Sequence, residues 1–351
     1  MATPESSKSP ATRSARQATL KAPIRLEGRS AQGSHSIIDI KPAGPGTGIV
    51  FVKGGHRIPV NFFNVRLKSR PYRTIILRDR ESGEKVYTAE HILGALKAMG
   101  VHNAEIHMVK GSALPCFSDA VSPYVREIEH VGLKEQDARV PRLRVNLQAA
   151  GDMLMTGREV NERLSKAGVS AASGIKFADD EQLVVVTHPN PKIGDMMILR
   201  PTEDTPKVTY YFDYPHKAFG GPQTYTWTIG DTKTFKEDIM HARAPGFYPR
   251  NWVGQKLMDI TGALRMHGMT YENTLILGHP SNPNYLNPPG GATGVRYGGQ
   301  EGARHKTIDL LGEMSFLPGH PKADVISIRT GHKTSTQFMS KLLRKGVLIP
   351  E

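Results

Sequence analysis

The stretch Ala303-Arg304-His305-Lys306-Thr307-Ile308-Asp309 sets an imidazole and a carboxylate four residues apart. Leu310, Leu311, Met314 and Phe316 continue an apolar helical pattern, so His305 and Asp309 should leave one face of a helix, one turn apart. At that spacing an imidazole nitrogen and a carboxylate oxygen can meet one small cation such as Zn2+ at about 2.0–2.2 Å. Lys306 stands between them and can supply a fixed positive charge. The same pair can equally be a hydrogen-bonded pair on a helix, and the heptad alone leaves both readings open. A metal site needs a third ligand. Thr88-Ala89-Glu90-His91 opens another helical stretch and offers His91. Glu90 beside it can accept a proton from a metal-activated water without binding the metal itself. Two His, one Asp and an open fourth position are the pattern of a catalytic zinc. A Glu-His pair near a helix start also fits a solvated first turn.

The elements that would carry these residues alternate between two periods. Order is expected to begin near Ile24. Ser36–Ile40 and Gly48–Val52 read as strands of a hairpin or meander around the Pro/Gly segment 42–46, followed by strands at Asn61–Leu67 and Tyr72–Leu77. From Thr88, a plausible N-cap, the period becomes helical: Ile92, Leu93, Leu96 and Met99 form a stripe ended by Gly100. A strand at Ala104–Val109 and a helix at Pro123–Glu129 follow. Residues 132–180 are polar, with one helix candidate at Arg158–Ala167, and read as an insertion or inter-domain segment. Beyond it come strands near Glu181–Thr187, Met196–Arg200, Lys207–Asp213 and Tyr225–Ile229, and helices at Phe235–Ala242 and Val253–His267. A strand at Asn273–Leu277 precedes a long Pro/Gly/Asn-rich loop at Pro280–Gly299, then the His305 helix, a strand at Val325–Arg329 and a last helix headed by Gly331-His332. Strands with interspersed helices predict an α+β fold of two domains, each a sheet layered with helices: 26–131 and 181–351, after a disordered basic tail at 1–25.

Composition narrows the partners. The 351 residues contain 46 Lys plus Arg against 33 Asp plus Glu, a formal charge of +13. That excess suits a polyanion: nucleic acid, an acidic membrane surface or a phosphorylated substrate. The single cysteine, Cys116, excludes an intramolecular disulfide framework and a Cys-based zinc cage, and reads as a packing residue rather than a nucleophile. No apolar run is long enough to span a bilayer. The N-terminal segment is basic, with Glu5 its single acidic residue; an organelle-targeting segment is the minor alternative.

The dispersed motifs, taken together, resemble the UDP-3-O-acyl-N-acetylglucosamine deacetylase family, the zinc hydrolases of lipid A biosynthesis. Thr88–Leu96 with Met99–Asn103 is similar to the family's Thr-x-Glu-His helix and the strand after it. Phe212–His216 resembles a strand ending in a His-Pro turn, and Ala242–Phe247 an Ala-Arg-Thr-Phe-Gly-Phe segment. Arg304-His305-Lys306 with Asp309 and Gly312 resembles the second metal motif, and Gly331-His332 the late Gly-His. The resemblance implies an active site between the two domains and zinc held by His91, His305 and Asp309. It also implies Glu90 as general base, His332 as proton donor to the leaving amine or oxyanion stabiliser, and Lys306 as a positive charge. Arg243, Ala244 and Phe247 would meet the substrate, a UDP-linked acylated amino sugar, and Glu313 would orient His332. A cytoplasmic monomer with peripheral contact to an acidic membrane surface is implied; nucleic acid is disfavoured.

The departures concentrate on the substrate side. Ala244 stands where the family carries a threonine that hydrogen-bonds the reacting carbonyl, and Pro245 where it has an aromatic residue. Glu313 replaces an aspartate. Zinc and base chemistry are expected intact in a divergent member. Two rival readings are the same chemistry on another N-acylated amino sugar, and a catalytically silent basic binding protein.

Overall fold

The apolar stripe Ile92, Leu93 and Leu96 becomes the buried face of helix α1 (Glu90–Ala98), and Gly100, at φ 74°, turns the chain out of it. The protein is described from a computed structural model that covers residues 16–67, 74–169, 171–190, 194–214, 219, 221–247, 270, 272–277 and 295–351. The expected helix at 253–267, His216 and most of the loop at 280–299 lie outside these.

The architecture is α+β in two halves. The first half is a five-stranded sheet in the order Ile24–Arg29, His35–Pro42, Ala104–Lys110, Ile49–Lys53, His56–Pro59. The second is a six-stranded sheet in the order Leu154–Thr156, Gln182–Thr187, Met196–Pro201, Ala323–Ile328, Lys207–Phe212, Gln223–Thr228. Helices α2 (Ser122–Val131), α3 (Gly157–Lys166), α4 (Thr232–Asp238), α5 (Glu301–Met314) and α6 (His332–Arg344) complete the described set. Side chains from α1, α5 and the facing sides of both sheets share one core, among them Phe51, Ile106, Leu93, Ile308, Leu311, Tyr210 and Val325. Strand alternation decides what each face holds. Val208, Tyr210 and Phe212 point to that core, while Tyr211 joins a second cluster on the outer face with Val160 and Leu164 of α3.

Three local expectations change. His35–Pro42 and Ile49–Lys53 do not pair as a hairpin: Ala104–Lys110 lies between them, antiparallel to the first and parallel to the second. A parallel pair needs a long crossover, and α1 belongs to it, a non-local fact that turn residues cannot reveal. Within the stretch 1–25 expected as a disordered tail, Arg16–Leu20 is a strand paired with Leu133–Arg139. Residues 132–180 are likewise woven into the fold. Arg142–Val145 pairs with His320–Pro321 and with Leu348–Pro350, and Leu154–Thr156 edges the six-stranded sheet. Their polar look follows from edge strands that bury few side chains, such as Leu-Lys-Glu-Gln-Asp-Ala-Arg at 133–139.

Candidate metal and hydrolytic site

Two glycines let α1 and α5 approach backbone to backbone. A Cβ on Gly94 would meet the Ile308 carbonyl oxygen at 2.5 Å, and one on Gly312 the Glu90 carbonyl oxygen at 2.2 Å. These contacts set the first turn of α1 against the last turn of α5 and the two helix middles against each other, so that residues more than two hundred positions apart share one site.

His91, His305 and Asp309 each offer a ligand atom, all within 4.8 Å of one another. Asp309 Oδ1 lies 3.3 Å from His305 Nε2 and 3.6 Å from His91 Nε2, and the two rings meet edge to face with centroids 5.0 Å apart. His305 Nδ1 lies 2.9 Å from the Ala242 carbonyl oxygen. Donation of Nδ1–H to that oxygen leaves the Nε2 lone pair aimed at Asp309, the tautomer a metal ligand requires. Asp309 Oδ1 is buried and has no hydrogen-bond partner, a costly state unless a cation occupies the space it faces. Burial opposes the Asp309 charge, yet Lys306, His305 and His332 hold its carboxyl well below the usual carboxylate range. Burial and then the neighbouring His305 lower the His91 pKa, which favours the neutral, ligating imidazole. A carboxylate, two imidazoles that present Nε2 and an orphaned oxygen among them fit a borderline divalent ion such as zinc.

Around this trio the other expected residues converge. Lys306 Nζ donates to Asp309 Oδ2 at 2.7 Å and sits 5.7 Å from the centre of the Tyr210 ring. Burial works against its charge, but Asp309 and Tyr210 raise its pKa above the ordinary lysine value. Glu90 is 3 % exposed. The Thr74 hydroxyl donates to its Oε1 at 2.6 Å and the Ile75 N–H to its Oε2 at 3.1 Å. His332 opens α6, and its Nε2 lies 3.9 Å from both Glu90 Oε1 and Asp309 Oδ2. Its Nδ1 hydrogen-bonds Glu313 Oε1 at 2.8 Å, while the Ser335 hydroxyl donates to Glu313 Oε2. Burial pulls the His332 pKa down, but Asp309, Glu313 and Glu90 outweigh it and push the value up to about 9.

The backbone before α1 differs from the expected cap. Ala89 holds the N-cap position without a side-chain hydrogen bond. Thr88 adopts φ 64°, the left-handed region that a β-branched residue avoids, and its buried Oγ1 has no partner. Strain of about 1–3 kcal/mol is typical of such a residue. Here it stands two residues before Glu90 and three before His91.

Arg243 needs correction. It was expected at the substrate, but its side chain is wholly buried and clamped to the equally buried Glu301, Nε to Oε1 at 2.8 Å and Nη2 to Oε2 at 2.9 Å. It is a packing and anchoring residue of the segment that carries Ala242. Ala244 begins the strand Ala244–Phe247, parallel to Thr274–Leu277; the Phe247 side chain lies outside the described residues. Thr74 and Tyr210 carry no motif signal but hold the site, and Ala242, inside a motif, does so through its backbone carbonyl. Ser335 was legible only as the residue one helical turn after His332. His35 pairs on the surface with Glu27 at 2.7 Å. Cys116 is half-buried, and burial, then Glu90, push its thiol up to about 11, which leaves no thiolate for a nucleophile.

The family model for UDP-3-O-acyl N-acetylglycosamine deacetylase matches residues 17–160 and 156–344. Proteins named UDP-3-O-acyl-N-acetylglucosamine deacetylase are similar along nearly the whole chain. The one from Myxococcus xanthus is 26 % identical over 340 residues, covering 95 % of this chain and 87 % of its own. That from Syntrophotalea carbinolica is 23 % identical over 331 residues, with 93 % and 87 % covered. That from Shewanella loihica is 25 % identical over 333 residues, with 93 % and 89 % covered.

Proposed function

Because the chain belongs to the UDP-3-O-acyl N-acetylglycosamine deacetylase family, we propose that it hydrolyses the N-acetyl group of a UDP-3-O-acyl-N-acetylglucosamine through the residues gathered at Glu90, His91, His305, Asp309 and His332. It is a hydrolase of lipid A biosynthesis. The observation that carries the site assignment is the partnerless Asp309 Oδ1 between two imidazole Nε2 atoms, with Glu90 and His332 beside it.

We assign the metal as zinc, held by His91, His305 and Asp309. The chemistry such an ion supplies is Lewis-acid activation of water and of the amide carbonyl. Glu90, its carboxylate fixed by Thr74 and Ile75, takes the proton of the attacking water. His332, held by Glu313, carries positive charge toward the oxyanion and delivers a proton to the departing nitrogen, without which an amine is a poor leaving group. Lys306 balances Asp309 and keeps a fixed cation beside the reacting centre. Ala244 and Phe247 are proposed substrate contacts, because their strand continues from the Ala242 carbonyl that orients His305.

A UDP headgroup suits the net charge of +13, since Arg and Lys hydrogen-bond phosphate oxygens. A cytoplasmic enzyme acting as a monomer, touching an acidic membrane surface, fits a substrate that carries both a diphosphate and an acyl chain. Phe63 supports the contact: it is 71 % exposed, with the Arg80 guanidinium 5.9 Å from its ring centre. No helix among the described residues is long and apolar enough to cross a membrane.

The test is acetate release from the UDP-linked substrate, with and without chelator. Turnover lost on chelation and restored by zinc supports the reading; a folded, zinc-loaded preparation that releases no acetate overturns it. Ala244 and Pro245 favour one second reading, the same hydrolysis on another N-acylated amino sugar. A panel of N-acetyl sugar nucleotides with and without the 3-O-acyl chain separates the two.

A further inference from the structure

A second cluster of ionisable groups lies at the opposite end of α1 from Glu90 and His91. Lys97 occupies the last turn of α1 and His102 follows in the chain. Arg142 and His320 are direct partners of two parallel strands that join the halves. The His102 and His320 rings have centroids 5.9 Å apart. Seven residues of helix, about 10 Å along its axis, separate Lys97 from Glu90.

The donors of this cluster are fixed in direction. The Ala18 N–H donates to His102 Nδ1 at 3.0 Å, and an imidazole that accepts at Nδ1 bears its proton on Nε2. His102 therefore presents an N–H on its free side. Lys97, His102 and His320 are all half-buried. Among the described residues none of the three has a carboxylate at ion-pair distance, and the nearest counter-charge to Arg142 is Glu351 at 3.7 Å. Burial lowers Lys97 to about 8, burial and then Lys97 lower His102 to about 4, and Lys97 followed by burial lowers His320 well below the ordinary value. Lys97, His102 and His320 thus feel their surroundings only as like charges or as lost water. Lys97 and Arg142 both act on the half-buried His320 as positive charges, and an anion beside the neutral imidazoles relieves the repulsion between such cations.

We propose that Lys97, His102, His320 and Arg142 bind a small tetrahedral oxyanion, either inorganic phosphate or the phosphoryl group of a phosphomonoester, at the junction of the two halves. Lys97 and Arg142 supply the charge, and His102 supplies a neutral N–H donor. His320 can offer a donor from either tautomer. The bound anion joins the C-terminus of α1, the N-terminal strand at Ala18 and the strand pair Arg142–Val145 with His320–Pro321, so it stabilises the assembly without taking part in the hydrolysis.

Thermal unfolding and calorimetric titration of the full chain test this, with inorganic phosphate compared against chloride at equal ionic strength and pH 7. The expected result is a saturable rise in Tm with phosphate. Lys97→Ala should weaken the apparent affinity by about tenfold or more, while His332→Gln, at the hydrolytic site, should keep it. Free Lys97→Ala should unfold no earlier than the wild type, because it loses a half-buried charge that has no carboxylate at ion-pair distance among the described residues. His320→Gln, weakened likewise, gives a second variant if the first fails to fold. Glycerol phosphate binding as tightly as phosphate assigns a phosphomonoester; binding of phosphate alone assigns the free ion. Phosphate acting no better than chloride, or equally on wild type and on both variants, overturns the site.

Discussion

Gly312 faces the carbonyl oxygen of Glu90 so closely that an added Cβ would lie 2.2 Å from it. The proposed hydrolytic site depends on two helices that approach there without side chains between them. Gly312→Ala must push α5 away from α1, and overpacking of a core of this kind costs about 1–3 kcal/mol. The same displacement separates His91 from His305 and Asp309. The expected outcome is a lowered Tm together with weakened metal binding, read by unfolding and by metal analysis of the purified variant. A variant that is as stable as the wild type and fully metal-loaded would show that the helices are not held by this contact.

Lys306 grips the Asp309 oxygen that does not face the imidazoles, at 2.7 Å. Removing the partner of a ligand typically weakens metal affinity by about 10–100-fold, so Lys306→Ala should bind metal measurably less tightly in competition with a chromophoric chelator. Asp309→Ala and His91→Ala should lose it altogether. Stripping the metal should also lower the wild-type Tm, because a ligand bound only to the folded state stabilises it by mass action. Equal affinity in wild type and Asp309→Ala would remove Asp309 from the site.

Arg243 and Glu301 are both 0 % exposed and doubly hydrogen-bonded. Deleting one member of such a pair leaves a buried charge without its counter-ion, at a cost of about 3–5 kcal/mol. Arg243→Ala is therefore expected to fail in folding or to melt far earlier, and any folded fraction should keep its KM. A stable Arg243→Ala protein with a raised KM would instead return Arg243 to the substrate.

The chemistry of the site was more legible than its supports. His305 and Asp309 share a helix face by spacing alone, and Glu90-His91 and Gly331-His332 stand at helix starts, where side chains reach out of the layer. Thr74, Tyr210 and the Ala242 carbonyl carry no such pattern: each reaches the site through a tertiary contact. Arg243 was placed at the substrate by the resemblance of Ala242–Phe247, whereas its partner Glu301, 58 positions away, holds it in the interior. Strand pairing failed for the same reason. The insertion of Ala104–Lys110 between His35–Pro42 and Ile49–Lys53 depends on a crossover rather than on the Pro/Gly turn between them. The polar edge strands at 133–145 show no core period because they bury little.

The basic cluster at the far end of α1 gives the fold an acid-sensitive point. An unfolded histidine takes a proton near pH 6.5, while His102 in the folded chain holds its neutral form down to about 4, through burial and then Lys97. His320 is lowered in the same sense by Lys97, burial, His102 and Arg142. Both pKa values are depressed on folding, so the stability they contribute is present above pH 6.5 and is lost as pH falls from there toward 4, where the unfolded chain binds protons that the folded one refuses. Lys97, lowered to about 8, is charged in both states below that pH and adds no slope in this window. Tm measured from pH 7.5 to 4 in chloride buffers should fall more steeply for the wild type than for His102→Asn or His320→Gln, each of which removes one titrating ring. Superimposable curves for all three proteins would show that neither histidine is held neutral by the fold.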